Sequence, residues 1–92
     1  MILGGISNGL DCTRCGFVTS SRLGIAVVRN RVRRRLREAV RLCYGHISRG
    51  WDLVWIARPP LVRADFQQVS GAVAALLQQA RLWQAPREDG HA

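Results

Sequence analysis

The residues with the most chemical content are the arginines of Val27-Val28-Arg29-Asn30-Arg31-Val32-Arg33-Arg34-Arg35-Leu36-Arg37-Glu38-Ala39-Val40-Arg41. At helical spacing Arg29, Arg33, Arg37 and Arg41 form one i, i+4 row, with Asn30 and Arg34 a step round from it, and Arg31 and Arg35 form a second row. A guanidinium offers a flat fork of N–H donors that grips two phosphate oxygens at once. As isolated helix chemistry the arrangement is unfavourable. Like charges at 29/33, 31/35, 33/37 and 37/41 cost roughly 0.2–0.5 kcal/mol each, on the order of 1–2 kcal/mol together, and arginines in the first turns oppose the helix dipole. Only Glu38 supplies a counter-charge within the segment. Such a helix calls for a polyanion to neutralise it. The competing readings are a solvated charged face and a basic helix lying on a membrane. The nearly single sign of the face weighs against the first. The second conflicts with the apolar stripe of the same helix, which the remaining elements need as a packing surface.

Other constellations are weaker. Cys12-x-x-Cys15 and Cys43-x-x-His46 carry the ligand types of a Cys3His zinc site. Cys15, however, falls in a strand and Cys43 continues an apolar stripe, where a buried cysteine is ordinary, so no metal site is expected in the protein. A redox CxxC opens a helix, whereas this pair precedes a strand. Little is available for acid–base catalysis. His46 and His91 are the only histidines, and Asp11, Glu38, Asp52, Asp65, Glu88 and Asp89 make no evident pair. No catalytic residue is therefore expected. Trp51 and Trp55 share one face of their strand and read as core, with a base-stacking platform as the alternative.

The elements that position these residues follow from hydrophobic periodicity. Residues 1–13 hold three glycines and read as an irregular lead-in. Arg14–Ser20 (RCGFVTS) suits a short strand, and Gly24 lies at a flexible point after it. A helix is expected over Ala26–Tyr44, because Val28, Val32, Leu36, Ala39, Val40 and Cys43 recur on one face; Ile25 gives it no side-chain cap, and Gly45 is its expected stop. Trp51–Arg58 is apolar almost throughout and reads as a strand covered on both faces, ended by Pro59-Pro60. A second helix is expected after Asp65, with Asp65 and Gln68 in a capping box and Phe66, Val69, Val73, Leu76, Leu77 and Ala80 on its apolar face. Residues 84–92 read as a flexible tail. The order strand, helix, strand, helix predicts a single α/β or α+β domain over 1–92, with the two strands parallel through a βαβ crossover.

The whole chain agrees with a polyanion partner. Its 92 residues suit one small core, and its 14 basic residues are all arginine, against six acids, for a net charge of +8. No apolar run approaches a membrane span, and the first residues lack the pattern of a signal peptide. With three cysteines, a reduced cytoplasmic setting is expected, with no membrane association. No stable protein oligomer is expected.

The segment Leu23–Glu38, LGIAVVRNRVRRRLRE, resembles the signature helix of the ribonuclease P protein subunit family: an Ala, two residues, then Arg-Asn-basic-apolar-basic-Arg and a further basic residue. The preceding RCGFVTS, the following WDLVWIARP and the last helix also resemble family elements, so the likeness covers about Arg14 to Trp83. It implies an α+β sandwich with an unusual left-handed βαβ crossover through the arginine helix, like that of the second domain of ribosomal protein S5. It also implies a role as the accessory protein of an endoribonuclease whose RNA subunit performs the cleavage with Mg2+ held by RNA and substrate. Its partners would be that RNA and precursor tRNA. Carried over by position, Arg29, Asn30, Arg31, Arg33, Arg34 and Arg37 fall on the family's RNA-contacting helix. Arg58 and Trp83 fall on positions bordering the cleft that holds the 5′ leader, Trp83 having a structural plug at the helix end as its alternative. Residues 1–13 resemble neither the basic aromatic helix nor the first strand of the family, which implies that part of the sheet and cleft is missing. A stand-alone basic RNA-binding or ribosome-associated protein is the rival reading.

Overall fold

A computed structural model describes residues 1–85. Its centre is β3, Trp51–Ala57, which pairs on one side in parallel with β2, Arg14–Thr19, and on the other antiparallel with β1, Ile2–Ser7. Between β2 and β3 the chain passes through α1, Ala26–Leu42; after β3 comes α2, Phe66–Gln79. Short 3-10 turns at Ser21–Leu23, Tyr44–His46 and Pro59–Arg63 join these elements. The result is an α+β fold of three strands and two helices, with the expected parallel pairing of β2 and β3.

The reading of residues 1–13 as irregular is corrected, because a strand precedes Arg14. Ile2 lies opposite Ile56 and Ser7 opposite Trp51. Gly4 and Gly5 hid this strand, since glycine disfavours strands on propensity alone. Tertiary packing explains one of them: a Cβ on Gly5 would come within 2.7 Å of Leu53 Cδ2.

Alternation along the strands decides which face holds the core. Leu53, Trp55 and Ala57 are buried with Val32, Leu36, Ala39 and Val40 of α1 and Val69, Val73 and Leu77 of α2. The expectation that β3 is covered on both faces is overturned, because both helices pack on the same side. The opposite face presents Ile2, Gly4 and Ile6 of β1, Val54 and Ile56 of β3, and Gly16 and Val18 of β2; Ile6 is 68% exposed and Val54 40%.

Helix termini show where local signals held. Asp65 Oδ1 accepts from Gln68 N at 2.8 Å, and Gln68 Oε1 accepts from Asp65 N at 2.9 Å, which completes the capping box. Helix α1 stops at Leu42, with Cys43 as its cap, rather than running to Tyr44, and Gly45 lies inside the next turn. The chain leaves the helix early because Tyr44 Oη donates to Thr13 O at 2.5 Å and Ile47 bridges Trp83. At the end of α2, Arg81 adopts φ 61° and Leu82 N donates back to Leu77 O at 2.8 Å, a left-handed cap made without glycine. Of the expected tail, Gln84 is anchored through its N–H to His46 O; residues 86–92 lie outside the described residues.

Candidate RNA interface

Helix α1 lies along β2 in the reverse direction, and successive contacts record it. Thr19 at the end of β2 meets Arg33, Phe17 two residues earlier meets Arg37, and Thr13 before the strand meets Tyr44. Two strand residues advance about 6.6 Å and four helix residues about 6 Å, so the rungs stay in step.

This ladder orients part of the arginine face. Arg33 Nη2 donates to Thr19 Oγ1 at 2.6 Å and its Nη1 to Asn30 Oδ1 at 3.1 Å. Arg37 sits over the Phe17 ring, 5.6 Å from the centroid, a cation–π contact that supports the guanidinium while leaving its N–H groups free of the ring. Asn30, Arg33, Arg34 and Arg37 together line one shallow hollow. Arg31 and Arg34 are exposed and have no hydrogen-bond or ion-pair partner among the described residues.

Other arginines of α1 have different surroundings. Arg35 Nη1 donates to Ala64 O at 3.0 Å and ties the helix to the turn before α2. Arg41 grips Glu38 through two hydrogen bonds of 2.6 and 2.9 Å, which hold the Glu38 carboxyl below its usual range. Arg29 is half-buried, and its Nε is shielded without a hydrogen-bond partner among the described residues. The i, i+4 row explains this, since each step of four turns about 40° round the helix and a row of four sweeps about 120°.

A second hollow opens at the carboxyl ends of the parallel strands, lined by Ser20, Arg22, Ile56, Ala57, Arg58 and Pro59. Ile56 belongs to the open sheet face, so this hollow continues that face. Sequence reasoning found Arg58 there but missed Ser20 and Arg22; the signal available was their position immediately after a strand end. At the other end of the same face Arg14 makes a two-bonded pair with Asp52 at 2.7 and 2.8 Å, and Asn8 Nδ2 donates to the same carboxylate at 2.9 Å. These bonds, Arg14's foremost, lower the Asp52 pKa to about 2. Trp83 is not beside Arg58. It stacks on His46 with ring centroids 4.4 Å apart and packs against the core near the start of β3, at the opposite end of that strand from Arg58.

The other sequence candidates are dispersed. Cys12 is exposed, while burial pushes the Cys15 and Cys43 thiols up. His46 Nδ1 donates to Gln84 O at 2.9 Å. Among the described residues no group of three or more His, Cys, Asp or Glu is placed to hold a metal ion, and none of their helices is long and apolar enough to cross a membrane.

A three-stranded α+β fold that directs an arginine helix outward defines a small basic protein of the polyanion-binding class. Residues 1–81 match the ribonuclease P family. The ribonuclease P protein component of Roseiflexus castenholzii is 52% identical over 81 residues, covering 87% of this chain and 66% of that protein. The RNase P protein of Thermotoga maritima superposes with a TM-score of 0.77 at 34% identity over 84% of this chain and 74% of its own. That of Staphylococcus aureus superposes with a TM-score of 0.78 at 29% identity, over 89% and 75%. The chain belongs to the ribonuclease P protein family. It spans about two thirds of the length of the curated relatives it matches.

Proposed function

We propose that this protein is the accessory subunit of ribonuclease P, which binds the catalytic RNA through α1 and the 5′ leader of precursor tRNA along the open sheet face. The observation that carries this reading is the hollow formed by Asn30, Arg33, Arg34 and Arg37, in which two guanidiniums are already oriented by β2. Arg29 and Arg31 flank it on the same helix. For the leader, Val18 and Val54 give an apolar floor, and Gly4 and Gly16 have nothing within 4 Å of a would-be Cβ, which leaves that floor low. Arg14 stands at one end and Arg22 and Arg58 at the other. An apolar floor between cationic ends suits a single strand, whose bases stack while its phosphates pair. Trp83, already stacked on His46, serves as the plug at the end of α2.

The chemistry of cleavage is assigned to the RNA. The implied Mg2+ does not fit the donors among the described residues, because Asp52 and Glu38 are held by arginines, Asp65 caps a helix, and Asp11 belongs to no group of three or more such ligands. The protein's contribution is charge neutralisation and placement of the leader, in the cytoplasm where tRNA precursors are matured. Cleavage of precursor tRNA by RNA alone, protein alone and both together tests this. The expected outcome is specific cleavage by the RNA at high magnesium, enhancement by the protein at low magnesium, and none by the protein alone.

A further inference from the structure

Thr19 is one of two buried polar residues among the described residues, 9% exposed, and it stands on the core face of β2. Its hydroxyl oxygen accepts from Arg33 Nη2 at 2.6 Å while Asn30 Oδ1 accepts from Arg33 Nη1 at 3.1 Å. The guanidinium is therefore held from two sides, one contact coming from its own helix and one from the sheet. Arginine has five N–H donors, so three remain for phosphate oxygens. A long side chain that is ordered only on binding loses rotamer freedom at that moment, which lowers affinity several-fold for such a group. An oxygen that orders it beforehand removes part of that penalty, and the sheet is the more rigid support.

We infer that Thr19 is a positioning residue for RNA binding: it fixes the Arg33 guanidinium in the hollow before RNA arrives, without touching the RNA itself. This rests on the proposed RNA-binding role of α1 and names the residue that sets the geometry there. Any small apolar residue would fill Thr19's place in the strand, but only a hydroxyl supplies this acceptor. The neighbouring rung works differently, since Phe17 supports Arg37 through its ring face and not through a hydrogen-bond acceptor.

The test is a titration of the full chain, Thr19→Val, Thr19→Ser, Arg33→Ala and Thr19→Val/Arg33→Ala against in vitro transcribed ribonuclease P RNA at several salt concentrations. Valine keeps the branched shape and removes the oxygen; thermal unfolding is followed in parallel. Thr19→Val is expected to bind on the order of fivefold more weakly, with an unchanged salt slope because no charge is lost. Thr19→Ser should recover most of the affinity. Arg33→Ala should bind more weakly still, with the slope reduced by about 0.7–0.9, and the double variant should bind no more weakly than Arg33→Ala alone. A purely structural threonine would instead weaken the Arg33→Ala background as much as the wild type, and that additivity would overturn the inference. Wild-type affinity for Thr19→Val, beside a weakened Arg33→Ala, would overturn it while leaving RNA binding by α1 standing. Equal binding of the wild-type protein to ribonuclease P RNA and to an unrelated RNA of the same length would overturn both.

Discussion

Arginines of one helix are separated here by what each side chain touches. Arg34, at the crest of α1, has no hydrogen-bond or ion-pair partner among the described residues, whereas Arg35, one residue on, donates to Ala64 O. Arg34→Ala should leave the fold unchanged, weaken binding to ribonuclease P RNA, and make the salt dependence shallower by about 0.7–0.9; filter binding across a salt series checks it. Arg35→Ala should lower stability by about 1 kcal/mol through the lost tether, read as a shift of the urea midpoint. The arginines themselves were legible from i, i+4 spacing, and so was the need for a polyanion. Which of them are oriented was not, because Thr19 and Phe17 reach them from another element and periodicity reports only contacts within one. Arg29 shows the same limit: it heads the i, i+4 row, yet the row's drift turns this first member toward the core.

Elements whose ends are fixed by neighbours in sequence were readable, and those fixed by distant partners were not. The Asp65 and Gln68 capping box and the parallel β2–β3 pair follow from spacing and from the intervening helix. β1 was missed because one of its glycines, Gly5, is required by Leu53 of the distant strand β3, and α1 ends early because Thr13 captures Tyr44. The left-handed Arg81 cap carries no sequence mark at all. Non-glycine residues pay about 1 kcal/mol or more for that conformation, so Arg81→Gly should raise unfolding stability by about that much, measured by urea denaturation. At the start of the central strand, Asp52 has its pKa lowered to about 2 from 3.8 by Arg14 and Asn8. A carboxyl with a depressed folded pKa contributes stability that is present above its unfolded value and lost as pH falls through the folded one. The advantage of wild type over Asp52→Asn should therefore be constant above about pH 4 and shrink between pH 4 and 2, in urea midpoints taken across that range. The pair is exposed and the effect is correspondingly damped by solvent.

Across the whole molecule the two faces of the sheet have separate roles. Both helices cover one face and build the core, which leaves Ile6, Val18 and Val54 exposed on the other between Arg14 and the Arg22–Arg58 hollow. The alternation of β3 hinted at neither arrangement, because WDLVWIA is apolar at nearly every position and reads alike on both faces. An exposed apolar floor tolerates charge without unfolding, but a single-stranded RNA laid on it does not, since a carboxylate would replace a stacking surface with like-charge repulsion toward phosphates. Val54→Asp should thus keep the melting temperature and the affinity for ribonuclease P RNA, whose proposed contact is α1. The reconstituted particle carrying it should lose on the order of tenfold in affinity for precursor tRNA with a long 5′ leader, equivalent to one lost base-stacking contact. For a precursor with a single leader nucleotide the loss should be small. Measuring both substrates by competition places the leader: a loss that is equal for long and short leaders would move it off the sheet face, and Arg58→Ala, at the far end of the same face, provides the independent second reading.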